Sequence, residues 1–188
     1  MQNDGLPVDT LVEKKLQGAE MFRGPLITVE HWQAEVPGGK IALREIVRHP
    51  GAAAVVPVDE KGFVTLVWQY RVAMGRLLLE IPAGKKDDPD EDFLCCAKRE
   101  LKEETGLSAE NWVPLSVIDT SPGFLTERIG LFLATGLTQG ETHPDEDEFL
   151  RIEKMPLSEA VSRVMKGEIT DAKTVAGVLM ANAYLRGA

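Results

Sequence analysis

The feature that most constrains the fold is an acidic segment at residues 84–107, GKKDDPDEDFLCCAKRELKEETGL. At about 100° per residue, a helix that begins near Asp92 places four apolar side chains on one stripe. They are Phe93, Leu94, Ala97 and Leu101. Glu100 and Glu104 fall at the edge of this stripe, one turn apart, and Glu103 lies beside them. The segment predicts a helix that packs one face on a core and holds three carboxylates at its margin.

Three carboxylates in so small a space need a compensating positive charge. Two of them about 5 Å apart repel by about 3 kcal/mol at an effective dielectric constant of about 20. Arg99 is expected to neutralise only one, Glu103, at the i+4 spacing. Hard oxygen ligands on a fixed helical face suit a divalent cation, either Mg²⁺ or Mn²⁺. The alternative is a solvated acidic helix face that holds no metal.

The residues that flank the helix complete a longer motif. Gly106 is placed to end the helix, and Ile81-Pro82-Ala83-Gly84 leads into it through a strand and a glycine turn. The whole segment resembles the Nudix box, Gly-x5-Glu-x7-Arg-Glu-U-x-Glu-Glu-x-Gly-U with U aliphatic, and the match is complete from Glu91 to Leu107. The resemblance implies Mg²⁺-dependent hydrolysis of nucleoside diphosphates that are linked to another group.

The segment departs from the box at its first glycine. Six residues rather than five separate Gly84 from Glu91. Either the loop carries one extra residue, or Lys85 stands where the box has glycine. We favour the insertion, because Pro-Ala-Gly stays intact and Asp88-Pro89-Asp90 is typical of a turn that can absorb it. The departure bears on the role of Glu91 and leaves the other carboxylates of the motif in register.

Composition narrows the classes of partner. With 188 residues the chain is expected to form one domain, with room for a small extension. A net charge of -9 argues against a nucleic-acid polymer or an anionic membrane as the main partner. We find no apolar run long enough to span a bilayer and no signal-peptide pattern at the start, and so expect a cytoplasmic protein. The neighbours Cys95 and Cys96 are expected to fill the core rather than bridge each other.

Strand patterns surround the acidic helix on both sides. Residues 26–36 alternate, and a turn at Pro37-Gly38-Gly39-Lys40 leads into residues 41–47, which predicts an antiparallel hairpin. Further strands are predicted at residues 51–58, 63–71, 77–82, 112–120, 129–134 and 149–155. Two helices follow, at residues 157–165 and at residues 171–185, the second capped by Thr170.

The order strands, helix, strands, helices predicts an α/β (α+β) domain with a mixed sheet and helices on its faces. The Nudix resemblance makes this an αβα sandwich preceded by an N-terminal antiparallel β extension. We expect the extension at residues 1–48, where it would serve dimerisation, and the hydrolase domain at residues 49–188.

Other strings in the sequence resemble one branch of the family, the ADP-ribose pyrophosphatases and nucleoside diphosphate sugar hydrolases. In chain order they are Trp68-Gln69-Tyr70-Arg71, Leu79-Glu80-Ile81-Pro82-Ala83-Gly84, Ser121-Pro122-Gly123-Phe124, Asp145-Glu146-Asp147-Glu148 and Asp171-Ala172-Lys173-Thr174. The branch implies cleavage to a nucleoside monophosphate and a sugar phosphate. It also implies a homodimer built through the N-terminal sheet.

The resemblance implies a role for each matching residue. The implied metal ligands are Ala83, through its carbonyl, with Glu100, Glu104 and Glu148. The implied catalytic residues are Glu146, as general base, with Glu103 and Arg99 in support. The implied substrate-binding residues are Arg71, Glu80, Trp32, Phe22, Gly123 and Phe124. Glu148 is the next candidate for the base.

Three functions stay open at this point. The first is a hydrolase of ADP-ribose or of a broader or non-adenine set, such as GDP-mannose. The second is a Nudix domain that binds a nucleotide sugar without cleaving it. The third is a structural acidic helix in an unrelated domain, which would be indifferent to Mg²⁺ and which metal-dependent thermal stabilisation would separate from the other two.

Overall fold

The computed structural model describes residues 8–142 and 149–187. Its backbone contacts divide the chain into two compact units. The first contains the residues up to Pro50 together with Ser121–Glu127, and the second contains Gly51–Thr120 and the residues from Arg128 onward. The domain boundary expected after residue 48 stays a prediction, and the segment Ser121–Glu127 belongs with the first unit although the sequence order puts it far from that boundary.

The first unit is a three-stranded antiparallel sheet in the order β1-β2-β3, preceded by a short 3₁₀ turn at Val8–Leu11. The strands are β1 (Lys14–Arg23), β2 (Thr28–Glu35) and β3 (Ile41–Arg48). β2 and β3 pair without interruption, from Thr28 opposite Arg48 to Glu35 opposite Ile41, as the predicted hairpin requires. Gly38 and Gly39 in the connecting turn have φ of 91° and 77°, which favours glycine at both positions.

β1 is a strand that the sequence pattern did not predict, so the expected two-stranded hairpin is wrong by one strand. Its ten residues are all exposed, and its register against β2 shifts twice, between Lys15 and Gln17 and between Glu20 and Phe22. A strand that is exposed on both faces and bulged has no reason to alternate apolar and polar residues. Its sequence therefore carries no period of two.

The second unit contains two sheets and three helices. One sheet is mixed, in the order β7-β4-β9-β8, and the other is antiparallel, in the order β10-β5-β6. The strands are β4 (Ala52–Pro57), β5 (Phe63–Arg71), β6 (Arg76–Glu80), β7 (Ala83–Lys85), β8 (Leu107–Asp119), β9 (Arg128–Gln139) and β10 (Leu150–Pro156). The helices are α1 (Phe93–Thr105), α2 (Leu157–Met165) and α3 (Ala172–Leu185).

β4 lies at the centre of this unit and is buried along its whole length. Successive side chains of a strand point to opposite faces. Ala52, Ala54 and Val56 accordingly pack into one apolar cluster, which includes residues of α2 and α3. Ala53 and Val55 pack into a second cluster with α1. Helices thus cover both faces of the mixed sheet, as the predicted αβα sandwich requires.

One predicted strand and one predicted turn near α1 differ from the structure. β8 begins at Leu107, directly after the helix, rather than near Trp112, because it pairs with the long strand β9 from Leu107 opposite Gln139 to Asp119 opposite Arg128. Residues 83–85, expected as part of a glycine turn, form the short strand β7. β7 pairs antiparallel with β4, with Ala83 opposite Ala54.

Local capping fixes the ends of α1 and α3. The Asp92 side chain accepts hydrogen bonds from the backbone N–H groups of Leu94 and Cys95, and Gly106 ends α1 with a φ of 70°. The predicted cap of α3 is wrong by one residue. Asp171, not Thr170, is the N-cap, and its carboxylate accepts from the backbone N–H of Thr174. Aspartate competes well for this position because its charge also favours a helix N-terminus.

The two cysteines of α1 have different environments. Cys96 is buried, as predicted, and burial raises the pKa of its thiol to about 12. Cys95 is exposed, so the expectation that it fills the core is wrong. Within the described residues, the longest helix has 14 residues and none could cross a membrane.

Candidate functional site

The site is built on the last two turns of α1. Glu100 and Glu104 are i and i+4 on the helix, so their side chains share one face. Both are buried, with exposed fractions of 6% and 4%. The side chain of Glu103 is about a third exposed, at 35%. Carboxylates are rarely buried without partners, because leaving water costs several kcal/mol per charge. This burial distinguishes the helix from a solvated acidic face.

The backbone of β7 lies directly against these carboxylates. The N–H of Ala83 donates a hydrogen bond to Glu104 Oε2 at 3.1 Å. A Cβ added to Gly84 would lie 2.1 Å from the carboxyl carbon of Glu100, well inside van der Waals contact. Glycine is therefore required at position 84 for Glu100 to occupy its place. This contact also favours the one-residue insertion over a substitution by Lys85, since Gly84 performs the steric role of the box glycine.

The loop between β7 and α1 contains a turn at Asp88-Pro89-Asp90, as the sequence predicted. The backbone N–H of Glu91 donates to the carbonyl of Asp88, and the N–H of Asp90 donates to the Asp88 side chain. The turn brings Glu91 back towards the helix, where its carboxylate accepts from the N–H of Asp87 at 2.9 Å. The same carboxylate lies 3.4 Å from Arg99 Nη2. Glu91 thus forms an ion pair with the arginine of the motif.

Arg99 contacts far more than the single carboxylate that helical spacing predicted. Its guanidinium lies within ion-pair distance of four carboxylates: Glu100 at 2.7 Å, Glu103 at 3.1 Å, Asp87 at 3.2 Å and Glu91 at 3.4 Å. It also donates to the carbonyl of Lys85 at 2.9 Å. Burial lowers the pKa of Arg99, but the surrounding carboxylates outweigh this effect and raise it, so the side chain is always charged. The expectation of one partner is wrong.

A second buried charge network lies at the ends of β5 and β6. Glu80 is 1% exposed and accepts two hydrogen bonds of 2.7 Å from Arg71, one from Nε and one from Nη2. Lys173 of α3 donates to the same carboxylate and lies 3.1 Å from Asp171. Burial raises the pKa of Glu80, but the Arg71 hydrogen bonds and the Lys173 charge more than offset it, so the pKa lies below its usual range. Both predicted residues are present, and they bind each other.

A cavity of about 790 Å³ opens beside Glu104. Its walls come from β5, β6, β10 and the end of α1. The lining residues are Trp68, Leu77, Glu104, Thr142, Phe149, Leu150, Arg151, Ile152 and Glu153. A cavity of this size is ordinary for a small-molecule site. Glu104 is the one residue that belongs both to this wall and to the carboxylate pair of α1.

The other predicted residues lie in the first unit or outside the described chain. Trp32 is on β2, with the Lys15 ammonium 3.8 Å from its ring centroid and its N–H donated to Glu30. Phe22 and Phe124 are 55% and 52% exposed, and Gly123 is exposed beside Phe124. Glu146 and Glu148 lie outside the described residues.

Three participating residues were not assigned a role from the sequence. Lys173 and Asp171 complete the Glu80 network, and Trp68 lines the cavity. All three stand within strings that identified the branch of the family, Asp171-Ala172-Lys173-Thr174 and Trp68-Gln69-Tyr70-Arg71. The signal was therefore present, but only the fold brings α3 beside β6 and shows what each residue contacts.

The donor atoms of the site suit a divalent metal that shares its coordination with a ligand. Among residues 8–142 and 149–187, no three His, Cys, Asp or Glu side chains converge to hold a metal by themselves. Glu100 and Glu104 supply carboxylate oxygen atoms, and the lack of a side chain at Gly84 leaves room for the Glu100 carboxylate. Mg²⁺ commonly takes only one or two protein carboxylates and completes its shell with water and phosphate oxygens. The residues present fit such an ion.

Comparison with known proteins agrees with this geometry. A sequence model of the Nudix domain matches residues 47–177. The ADP-ribose pyrophosphatase of Mycobacterium tuberculosis is 41% identical over 170 residues, which cover 89% of this chain and 82% of that protein. The GDP-mannose pyrophosphatase of Cronobacter sakazakii is 36% identical over 160 residues, which cover 76% of this chain and 82% of that protein.

A solved structure described as an ADP compounds hydrolase has the same fold. It superposes with a TM-score of 0.81 at 24% sequence identity and covers 93% of this chain and 95% of that one. The predicted α/β sandwich and the resemblance to the Nudix box are thus confirmed. Nudix hydrolases generally need a divalent metal, in keeping with the carboxylate oxygens on α1.

Proposed function

Because the chain belongs to the Nudix family, we propose that it hydrolyses the diphosphate bond of ADP-ribose and related nucleoside diphosphate sugars. The products are a nucleoside monophosphate and a sugar phosphate. The observation that carries the proposal is the buried pair Glu100 and Glu104, packed against the β7 backbone beside a cavity of ligand size. The relative named ADP-ribose pyrophosphatase directs the choice of substrate.

The metal in this proposal is Mg²⁺, for which Mn²⁺ can substitute. Glu100, Glu104 and the carbonyl of Ala83 hold it, and Glu148 is a further ligand. When bound, the metal neutralises diphosphate oxygens and makes attack by water easier. Arg99 and Glu103 position the Glu100 carboxylate, because Arg99 bridges the two at 2.7 and 3.1 Å. Their role in catalysis is therefore to hold a metal-binding carboxylate in position.

Two further charged residues act on the substrate and the attacking water. Arg71 contacts the diphosphate, and Glu80 fixes the direction of its guanidinium through Nε and Nη2. Glu146 acts as the general base that takes a proton from the attacking water, with Glu148 as the second candidate. Replacing Glu146 by Gln is then expected to lower kcat by at least roughly 100-fold and spare substrate binding. Turnover by that variant at the wild-type rate would place the base elsewhere.

The assembly in this proposal is a homodimer through the N-terminal sheet. Apolar side chains on that sheet are exposed, among them Met21, Phe22 and Leu43 at 55–59%. Trp32, Phe22, Gly123 and Phe124 contribute substrate contacts in such a dimer. We assign the protein to the cytoplasm, where an exposed free thiol such as that of Cys95 stays reduced.

A second candidate function is hydrolysis of GDP-mannose, favoured by the relative that bears that name. The same site chemistry serves both, because the scissile diphosphate is common to the two substrates. They differ in base and sugar, so the choice depends on the pockets around the diphosphate.

The test is a panel of ADP-ribose, GDP-mannose, UDP-glucose, NADH and diadenosine polyphosphates, assayed for product release with Mg²⁺ and with a chelator. Cleavage of ADP-ribose well above the others, lost on chelation, supports the proposal. Higher activity on GDP-mannose favours the second candidate. A purified protein that is stabilised by Mg²⁺ and a nucleotide sugar but releases no product would instead be a binding protein.

A further inference from the structure

The cavity beside Glu104 is lined by several side chains that have no role in the proposed hydrolysis. Trp68 of β5 pairs with Arg151 of β10, and Tyr70 of β5 pairs with Leu77 of β6. Since side chains alternate along a strand, Arg151 and Glu153 lie on the same face of β10, and Phe149 directly precedes that strand. Three neighbouring strands and the residue before β10 thus line one groove, with Trp68, Leu77, Phe149, Arg151 and Glu153.

The lining of the groove combines apolar and polar side chains. Phe149 and Leu77 are 86% and 57% exposed, so the groove carries two large apolar side chains that are open to solvent. Arg151, Glu153 and Thr142 add a guanidinium, a carboxylate and a hydroxyl to the same lining. Such a lining suits a ligand that has both an apolar face and several hydrogen-bonding groups.

Trp68 is held in one orientation by a chain of charged residues. Its indole N–H donates to Glu153 Oε2 at 2.6 Å, across the diagonal between β5 and β10. Glu153 Oε1 lies 3.4 Å from Arg163 Nη1 on α2, and Arg163 pairs in turn with Glu159 at 2.5 Å. Because both oxygens of Glu153 are used, the carboxylate is fixed on both sides. The indole ring therefore forms a preset surface rather than one that adapts.

We propose that this groove is the subsite for the sugar of a nucleoside diphosphate sugar, with Trp68 as the surface on which the sugar ring stacks and Glu153 as the residue that positions Trp68. A sugar ring has a C–H face that packs on an aromatic ring and a rim of hydroxyls that Arg151, Thr142 and Glu153 can bind. Because Glu104 of the proposed metal site lines the same groove, a sugar bound there lies next to the diphosphate. This inference rests on the proposed function.

The first test measures binding of the two kinds of product. Ribose 5-phosphate and AMP are titrated by calorimetry into the wild type, Trp68→Leu and the matched control Trp112→Phe. Trp112 donates its N–H to the Ala109 carbonyl and lies outside the groove lining. Loss of the Trp68 ring is expected to weaken ribose 5-phosphate binding by roughly tenfold, as an aromatic contact of 1–1.5 kcal/mol would, and to change AMP binding less than about twofold.

Two results would overturn the assignment. One is weaker AMP binding with unchanged ribose 5-phosphate binding, which would make the groove a nucleobase site. The other is that Trp68→Leu binds both products as the wild type does. The control Trp112→Phe should bind both products normally, and circular dichroism of each variant checks that the fold is retained.

The second test examines the positioning role of Glu153. Glu153→Ala should raise KM for the nucleotide sugar several-fold with little change in kcat, and Glu153→Gln, which can still accept from the indole, should restore it. If Glu153 acts through the Trp68 N–H, the effects of Glu153→Ala and Trp68→Phe should not add in the double variant. Additive effects, or a fall in kcat alone, would exclude positioning through Trp68.

Failure of this inference is separable from failure of the proposed function. If the wild type cleaves no nucleoside diphosphate sugar, the proposed function fails and the inference fails with it. If the wild type cleaves the substrate and the Trp68 and Glu153 variants behave as the wild type, only the assignment of the groove fails.

Discussion

Gly84 makes room for the Glu100 carboxylate by having no side chain. The closest approach of a hypothetical Cβ, 2.1 Å, is far shorter than any real contact, and the atoms it meets are the functional end of the glutamate. Glu100 is also bound by Arg99 at 2.7 Å, so it has little freedom to move aside. Position 84 therefore controls the geometry of the carboxylate pair.

Replacing Gly84 by Ala should displace Glu100 and reduce kcat/KM by roughly 100-fold or more, because a shift of about 1 Å in a catalytic arrangement costs that much. The measurement is steady-state hydrolysis of the preferred substrate over a range of Mg²⁺ concentrations. If Glu100 holds the metal as proposed, its displacement should move the Mg²⁺ dependence to higher concentration. An unchanged Mg²⁺ dependence would show that Glu100 keeps its position or does not bind the metal.

Glu80 gives the protein a defined pH dependence of stability. Its folded pKa lies below the unfolded value of about 4.3, so its stabilising effect is complete above that pH and is lost as pH falls through the folded pKa. Glu80→Gln leaves Arg71 and Lys173 with a neutral acceptor and should cost about 3–5 kcal/mol at neutral pH. Chemical denaturation at pH 7 and below pH ~4 should show this difference shrinking with acidity. A constant difference would contradict the assignment.

Sequence spacing located the carboxylates of the site but not their partners. Helical periodicity alone placed Glu100, Glu103 and Glu104 on the margin of a buried face, which the structure confirms for all three. Helical spacing predicted one partner for Arg99, because it relates only residues of the same helix. The loop between β7 and α1 brings Asp87 and Glu91 to the guanidinium of Arg99. Its path depends on tertiary packing, which sequence spacing does not predict.

At the scale of elements, the sequence predicts those helices and strands that carry local signals at their ends and along their length. α1 has an aspartate cap, a glycine stop and a periodic apolar stripe, and its predicted bounds agree with Phe93–Thr105. β1 is exposed and bulged and has none of these signals, so the sequence pattern does not predict it. The start of β8 at Leu107 was also missed, because pairing with β9 rather than its own sequence decides where it begins.

The cap of α3 offers a direct test at this scale. Asp171→Ala removes hydrogen bonds to the N–H and the hydroxyl of Thr174 and the ion pair with Lys173. It should lower the free energy of unfolding by about 1–2 kcal/mol. Thr170→Ala, at the position that the sequence suggested, removes one exposed hydrogen bond from Arg76 and should cost less than about 0.5 kcal/mol. Equal losses in urea denaturation would show that Asp171 does not cap the helix.

At the scale of the whole molecule, the fold class could be predicted and the topology could not. The order of strand and helix patterns indicates an α/β domain with a mixed sheet, which the structure confirms. The strand order β7-β4-β9-β8 joins segments far apart in sequence, and no local pattern specifies that pairing. The resemblance to a known family implied the αβα sandwich, and the strand order itself was not predicted.

The proposed dimer can be tested through the exposed face of the N-terminal sheet. Leu43 is 59% exposed on β3, and Leu43→Glu should convert a dimer to a monomer in analytical ultracentrifugation by placing a charge in an apolar interface. Lys40→Glu, in the neighbouring turn, is the control and should leave the mass unchanged. A wild type that sediments as a monomer at micromolar concentration would refute the dimer.

The parallel pairing of β4 with β9 has a consequence for how the protein is made. Ala52 pairs with Ile129, so β4 leaves the ribosome well before its main partner exists. At about 5–20 residues per second, this apolar strand waits roughly 4–15 s. During that time its alanines and valines, all buried in the finished fold, are exposed to other nascent chains. The wait for β9 is therefore a step of synthesis at which a chaperone would protect β4.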